Sequence, residues 1–192
     1  MESVSSYLTT KLKLKVNQEK SICCKSDKTK FLGHTILNNG TLVIAESSIA
    51  RLKSRIRIIT KRKRNRSMDT VVAELNSVLR GWFNYFKFSS SKRLFRNLDA
   101  WIRRKLRCFR LKQCKKAIAV KRFLNSLGVP TWQSWLIARS GKGWWRKSGC
   151  PQAHQAMNLT WFTKLGVYNL SNNYERFRVN LKPPYTRVRT VV

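Results

Sequence analysis

The chain has 192 residues, with 41 Lys and Arg against 8 Asp and Glu, so its formal net charge is +33 at pH 7. A charge of this size opposes compaction and makes polyanions, nucleic acid above all, the expected partners. At 42% hydrophobic and 11% aromatic residues, the composition is too apolar for a disordered basic tail. The charge alone is also compatible with a ribosomal-protein-like or histone-like protein.

The sequence gives little support for a membrane protein, a secreted protein or a metal-binding protein. No segment approaches the ~20 apolar residues of a membrane span, and Met1–Ser6 lacks the pattern of a secretory signal. We therefore expect a cytoplasmic bacterial protein or an organellar matrix or stroma protein, without a membrane partner. The 5 cysteines form no C-x-x-C pair. Because His34 and His154 also lack suitably spaced partners, we predict no metal ligand and no catalytic residue.

The first 45 residues or so are predicted to be rich in β-structure. Residues Ser5–Leu14 have the pattern of the end of a helix, and Lys15–Cys24 that of a strand region. Two apolar runs follow, Phe31–Leu37 and Thr41–Ile44, separated by Asn38-Asn39-Gly40. An Asn-Gly pair supplies the positive φ angles of a tight turn, so these runs predict a β-hairpin.

From Ser47 onwards, apolar residues recur at helical spacing, which predicts four amphipathic helices. The first carries Ile49 to Ile59, and the second follows a candidate N-cap at Ser67 and carries Val72 to Phe86. The third begins after Ser89–Ser91, and the fourth runs from about Cys114 to Leu127. We therefore expect a mainly α fold, a helical bundle preceded by the small hairpin.

After Pro130 the helical pattern loosens. Gly141–Lys147 is predicted to be a loop in which aromatic and cationic residues alternate, and a short helix is predicted from Pro151 to Leu165. For residues 172–192 we expect an extended or partly mobile chain.

Four sequence blocks together resemble group II intron-encoded reverse transcriptases. Leu12–Ser21 (LKLKVNQEKS) looks like the block after the active-site strands, and Phe31–His34 (FLGH) like the end of the palm. Leu75–Phe86 (LNSVLRGWFNYF) is similar to the maturase-specific motif LNPxLRGWxNYF, and Ala138–Arg146 to the region after it. The resemblance covers about residues 5 to 170. It implies a residual palm segment (1–46), a thumb/maturase-specific helical domain (47–128) and a basic aromatic C-terminal region that binds DNA or RNA (129–192).

One departure from the family bears directly on function. The family polymerase holds Mg²⁺ with paired aspartates of a Tyr-Ala-Asp-Asp turn just before the Leu12 block, whereas no two of the 8 acids here are adjacent. The resemblance thus implies an RNA-binding maturase fragment that stabilises group II intron RNA for splicing, binds no cofactor and does not polymerise DNA alone. The alternatives are the C-terminal half of a split RNA-directed DNA polymerase, which needs a separate fingers-palm fragment, and a degenerate non-functional fragment.

The predicted binding residues lie in the basic run Lys61–Arg66, on the predicted helices of the 47–128 domain and in the C-terminal region. Trp82, Phe83 and Phe86 are expected in the core, with Gly81 permitting close helix approach. We predict RNA contacts by Lys61, Arg62, Lys63, Arg64, Arg66, Arg80, Asn84, Tyr85, Lys87, Lys92, Arg93, Arg96, Arg103 and Arg104. Base stacking or phosphate contacts are predicted for Arg139, Lys142, Trp144, Trp145 and Arg146, a hydrophobic plug being the alternative for the two tryptophans.

Overall fold

The computed structural model describes residues 2–17, 21, 24–61 and 66–181. It is 67% helical and has one small antiparallel hairpin, so the predicted mainly α fold class is confirmed. Strands β1 (His34–Ile36) and β2 (Leu42–Ile44) follow a 3-10 turn at Ser26–Lys28. The helices are α1 (Glu2–Thr10), α2 (Glu46–Ile59), α3 (Met68–Phe86), α4 (Lys92–Gln113), α5 (Ala117–Ser126), α6 (Thr131–Arg139), α7 (Trp144–Lys147), α8 (Pro151–Ala156), α9 (Leu159–Lys164) and α10 (Leu170–Leu181).

The hairpin forms where the Asn-Gly pair predicted it. Its strands pair His34 with Ile44 and Ile36 with Leu42, and Gly40 in the turn has a φ of +76°. Of the strand predicted over Lys15–Cys24, the described residues 15–17, 21 and 24 belong to no strand, and the others lie outside the described residues. That segment lacks the turn and the facing apolar run that pair β1 with β2.

The hairpin is anchored to the helices next to Gly33. Ser48 in α2 donates its hydroxyl to the Gly33 carbonyl at 3.1 Å. Gly33 has a φ of +78°, and a Cβ there would lie 2.9 Å from the Ser48 hydroxyl and 3.3 Å from the Phe86 ring. A glycine is needed here because both the backbone angle and the space disfavour a side chain.

Helices α2 to α5 correspond to the four predicted amphipathic helices. The Ser67 hydroxyl caps α3 by accepting the Thr70 N–H at 3.2 Å. Leu75 and Leu79 are fully buried, and Phe83 and Phe86 nearly so, as the apolar stripe of α3 predicted. Gly81 does not bring helices close together, because a Cβ at that position would find no atom within 4 Å.

The C-terminal part is more helical than predicted. Trp144–Lys147 forms the helical turn α7 instead of a loop. The predicted helix over 151–165 is divided by Asn158, whose side chain caps α9 by accepting the Trp161 N–H at 3.0 Å. Residues 170–181 form α10, where an extended chain was expected from 172, because Leu170 and Tyr174 are buried. The rest of that expectation, 182–192, lies outside the described residues.

Polar bridges join the C-terminal helices to α3 and α4. The Asn76 amide donates to the Gly166 carbonyl at 2.7 Å and accepts the Tyr168 N–H at 2.8 Å. Buried Arg107 donates Nε–H to the Met157 carbonyl at 3.0 Å. Burial, together with nearby Arg103, lowers the pKa of Arg107 to about 10. None of the helices in the described ranges has the length and apolar character needed to cross a bilayer.

Candidate nucleic-acid interface

Two acidic side chains, Glu74 on α3 and Glu175 on α10, form ion pairs with neighbouring cations. Glu74 pairs with Arg66. Glu175 pairs with Lys92 at 3.1 Å and Arg96 at 3.2 Å, and these cations lower its pKa. These are the three ion pairs found in the described part of the chain. Three of the predicted RNA-binding residues are thus partly neutralised, and most of the remaining cations have no carboxylate beside them.

Asp99 on α4 serves the fold through hydrogen bonds. One carboxylate oxygen accepts the Leu170 N–H at 3.0 Å, and the other accepts the Ser171 N–H at 2.9 Å and its hydroxyl at 2.6 Å. Burial raises the pKa of Asp99, although these hydrogen bonds and Arg103 act in the opposite direction. Asp99 therefore binds the first turn of α10 to α4 and has little acceptor capacity left for neighbouring cations.

Cationic residues of three helices line one cavity, which we call the arginine cleft. Arg80 of α3, Arg103 of α4 and Arg176 of α10 border a volume of about 520 Å³. The side chain of Arg80 also lies over the Tyr168 ring, 5.8 Å from its centroid. The structure thus brings together two predicted RNA-binding residues and adds Arg176, which the sequence analysis missed.

In a second cluster, cationic side chains alternate with two tryptophan rings, and we call this cluster the tryptophan ladder. It consists of Arg57, Trp101, Lys105, Trp145 and Arg104. Lys105 lies 5.5 Å from the Trp101 centroid and 4.9 Å from the Trp145 centroid, and Arg104 lies 4.2 Å from Trp145. Burial lowers the pKa of Lys105. Trp145 keeps 39% of its surface exposed, which leaves part of its ring available to a base.

Three predicted RNA-binding residues near the end of α3 have different surroundings. Asn84 is exposed, whereas Tyr85 donates its hydroxyl to the Leu32 carbonyl at 2.8 Å while remaining half-exposed. Lys87 lies over the ring of Phe177, 5.1 Å from its centroid. Tyr85 therefore also supports the hairpin, whereas Asn84 is free to meet solvent or a ligand.

The basic run is only partly described. Lys61 is exposed after α2, and Arg66 is held by Glu74 and by a hydrogen bond from the Gln113 amide to its carbonyl at 3.0 Å. The predictions for Arg62, Lys63 and Arg64 lie outside the described residues. Arg93, farther along the chain, is exposed on α4.

Around α7, the predicted residues divide between core and surface. Trp144 packs against the core, and Lys147 lies 4.8 Å from its ring centroid. Arg139, Lys142 and Arg146 are exposed. Trp144 thus has the surroundings of a plug, and these three cations are accessible to phosphate.

Arg176 and Arg57 were missed for different reasons. Leu170, Tyr174 and Phe177 recur at helical spacing, and this pattern indicates a helix that would have placed Arg176 on a surface opposite the core. Arg57 belongs to a helix that was predicted, but its position over Trp101, at 5.7 Å, depends on tertiary packing.

Potential metal ligands are dispersed. No group of three His, Cys, Asp or Glu side chains within the described ranges could hold a metal ion. Cys108 is buried, and burial raises the pKa of its thiol. The expectation that the chain itself binds no metal or cofactor stays a prediction.

The fold and these surfaces define a mainly α-helical, strongly basic protein whose cations lie on several helices. Residues 49–127 match the family model described as the group II intron, maturase-specific domain. This match supports a group II intron maturase C-terminal region, as the resemblance found in the sequence predicted. This domain supports a maturase role in group II intron splicing, with the intron RNA as the implied partner. Curated proteins gave no match.

Proposed function

We propose that this protein binds group II intron RNA directly and stabilises its folded, splicing-competent form. The observation that supports this most is the imbalance of charge on the helices. The three ion pairs of the described chain involve only Glu74 and Glu175, and Asp99 is occupied by backbone and hydroxyl donors. Cations left without carboxylates gain most from phosphate, whose condensed counterions they release.

In this mechanism the RNA performs the splicing chemistry. A folded ribozyme brings many phosphates close together, so a protein with cations on several rigid helices binds it more tightly than the open RNA. That difference in affinity shifts the RNA towards its folded state. The contribution of the protein is therefore greatest when Mg²⁺ is scarce and phosphate repulsion opposes RNA folding.

The proposal also assigns the protein no polymerase activity of its own. Two-metal nucleotidyl transfer requires clustered carboxylates, and no two of the 8 acids are neighbours in the sequence. We propose further that the region from 129 onwards extends the nucleic-acid surface through Arg139, Lys142 and Arg146, towards intron RNA or target DNA.

The proposal is tested by measuring both RNA binding and splicing. At ~150 mM salt, where non-specific contacts weaken, we expect at least tenfold tighter binding to a group II intron transcript from the source genome than to an unrelated structured RNA of equal length. Substituting Arg139, Lys142 and Arg146 together by Gln should weaken binding and flatten the salt dependence. The protein should also accelerate splicing at a Mg²⁺ concentration at which the RNA alone reacts slowly.

Two results would contradict this proposal separately. Equal affinity for both RNAs, with no effect on splicing, would refute specific intron binding. Extension of an annealed primer by the purified chain would refute only the absence of polymerase activity.

A further inference from the structure

The arginine cleft brings together three guanidinium groups whose donors no protein group in the described chain uses. Arg80, Arg103 and Arg176 come from three helices, and each guanidinium carries five N–H groups in a rigid fork. Within the described chain, no protein acceptor takes a hydrogen bond from any of the three guanidinium groups. Three such groups around one cavity repel each other, so an anion bound between them would relieve that repulsion.

Asp99 is the carboxylate that lines the cleft, but it does not act as the anion between the arginines. Its two oxygens accept three hydrogen bonds from Leu170 and Ser171. It reduces the net charge of the cleft but offers little remaining acceptor capacity to the arginines. The cleft therefore keeps a net positive charge and a set of donors directed at no protein group.

The other walls indicate what kind of anion fits. Thr163, Tyr168 and three asparagines, Asn169, Asn172 and Asn173, supply hydroxyl and amide groups beside the arginines. These groups suit the ribose and base edges of a nucleotide, and the volume of about 520 Å³ lies in the range of small-ligand sites. A cationic wall disfavours a metal ion, and the apolar side chains of the lining, Ile102, Leu159, Phe162 and Val167, offer a surface for a ribose or a base.

We propose that the arginine cleft is a seat for one nucleotide of RNA, held by its phosphate between Arg80, Arg103 and Arg176. This inference rests on the proposed RNA-binding function and adds a defined site to it. Guanidinium groups bind phosphate oxygens in pairs of parallel hydrogen bonds, which gives a geometric preference beyond charge.

The seat is shared between two parts of the chain. Arg80 and Arg103 lie within the matched maturase-specific segment, residues 49–127, whereas Arg176 lies on α10. The contacts of Asn76 and Asp99 hold the chain around α10 against α3 and α4. The site is therefore complete only when the C-terminal helices are docked on the maturase-specific segment.

The first test removes one arginine at a time. Arg176 is exposed, so R176Q should fold normally. We expect R176Q to lose about tenfold in affinity for intron RNA, as fits the loss of a charge-assisted pair, and to reduce the salt slope by about 1. R176K should recover only part of the affinity, because an ammonium lacks the fork. The matched control is R122Q on α5, outside the cleft, with an expected loss below about threefold.

The second test uses competition at constant ionic strength. Adenosine 5′-monophosphate should displace intron RNA from the wild type more effectively than adenosine does, and this difference should vanish in R176Q. If neither adenosine nor the mononucleotide displaces the RNA, while R176Q still loses about tenfold in affinity and R122Q less than about threefold, the seat takes a phosphate within a strand.

Equal losses in R176Q and R122Q, or displacement of the RNA by adenosine as effective as that by its monophosphate, would overturn the nucleotide seat. Neither result would affect the proposed function, since the wild type would still prefer intron RNA. Failure of the wild type to prefer intron RNA is the separate result that removes the function.

Discussion

Replacing Asp99 with Asn should weaken the attachment of α10 to α4 with almost no change in the size of the side chain. The carboxylate accepts three hydrogen bonds from the first turn of α10, through both of its oxygens. An amide has only one oxygen, so its NH₂ group must face at least one of these donors. The substitution therefore leaves a buried donor unpaired in either orientation of the amide.

The size of the effect follows from the better of the two orientations. If the amide oxygen takes the position that faces Ser171, two hydrogen bonds survive and the N–H of fully buried Leu170 loses its acceptor. An unsatisfied buried donor costs about 1–3 kcal/mol, and the surviving bonds lose their charge assistance. We expect D99N to lower the free energy of unfolding by about 2–3 kcal/mol, and D99A to lower it further because all three bonds are lost.

Urea denaturation followed by circular dichroism gives this free energy, with N97A as the control on the same helix. Asn97 is exposed, so N97A should stay within about 0.5 kcal/mol of the wild type. Limited proteolysis of D99N should cut first near α10. A loss below about 0.5 kcal/mol in D99N would refute the role assigned to the carboxylate.

Three further predictions concern other contacts. N76A removes both hydrogen bonds to the segment before α10 and should cost about 2 kcal/mol of unfolding free energy; an unchanged urea midpoint would contradict this. G33A should cost more than G40A, because both positions have positive φ but only at Gly33 would a Cβ approach the Ser48 hydroxyl, at 2.9 Å; equal melting temperatures would rule out the contact as the cause. Burial and neighbouring arginines lower the pKa of His154, so its stabilising contribution is present above the unfolded value of 6.5 and is lost as pH falls through the folded value. From pH about 7.5 to about 5.5, the melting temperature should fall more steeply in the wild type than in H154Q; parallel curves would contradict the assignment.

The helices that could be predicted from the sequence are those with a regular apolar face that packs into the core. In α3, Leu75, Leu79, Phe83 and Phe86 recur every three or four residues, and all four are buried. The short C-terminal helices were harder to predict, because tertiary contacts stabilise them more than their local pattern does. The α7 turn, for example, places Trp144 against the core, and no apolar period extends over four residues.

The arginine cleft was beyond sequence reasoning for a related reason. Arg80, Arg103 and Arg176 are far apart in the chain and meet only through the packing of α3, α4 and α10. Each cation by itself has the pattern of an ordinary solvated helix face. The sequence predicted Arg80 and Arg103 as RNA contacts, but it could not indicate that a third arginine faces the same cavity.

The motif that identifies the domain contributes mainly to the scaffold. Within Leu75–Phe86, Leu75, Leu79, Phe83 and Phe86 form the core, and the Asn76 amide joins the segment before α10 to α3. Of this motif, Arg80 lines the arginine cleft. We therefore expect the proposed nucleic-acid contacts to depend largely on cations outside the motif, so that proteins that share it are free to differ in the RNA that they bind.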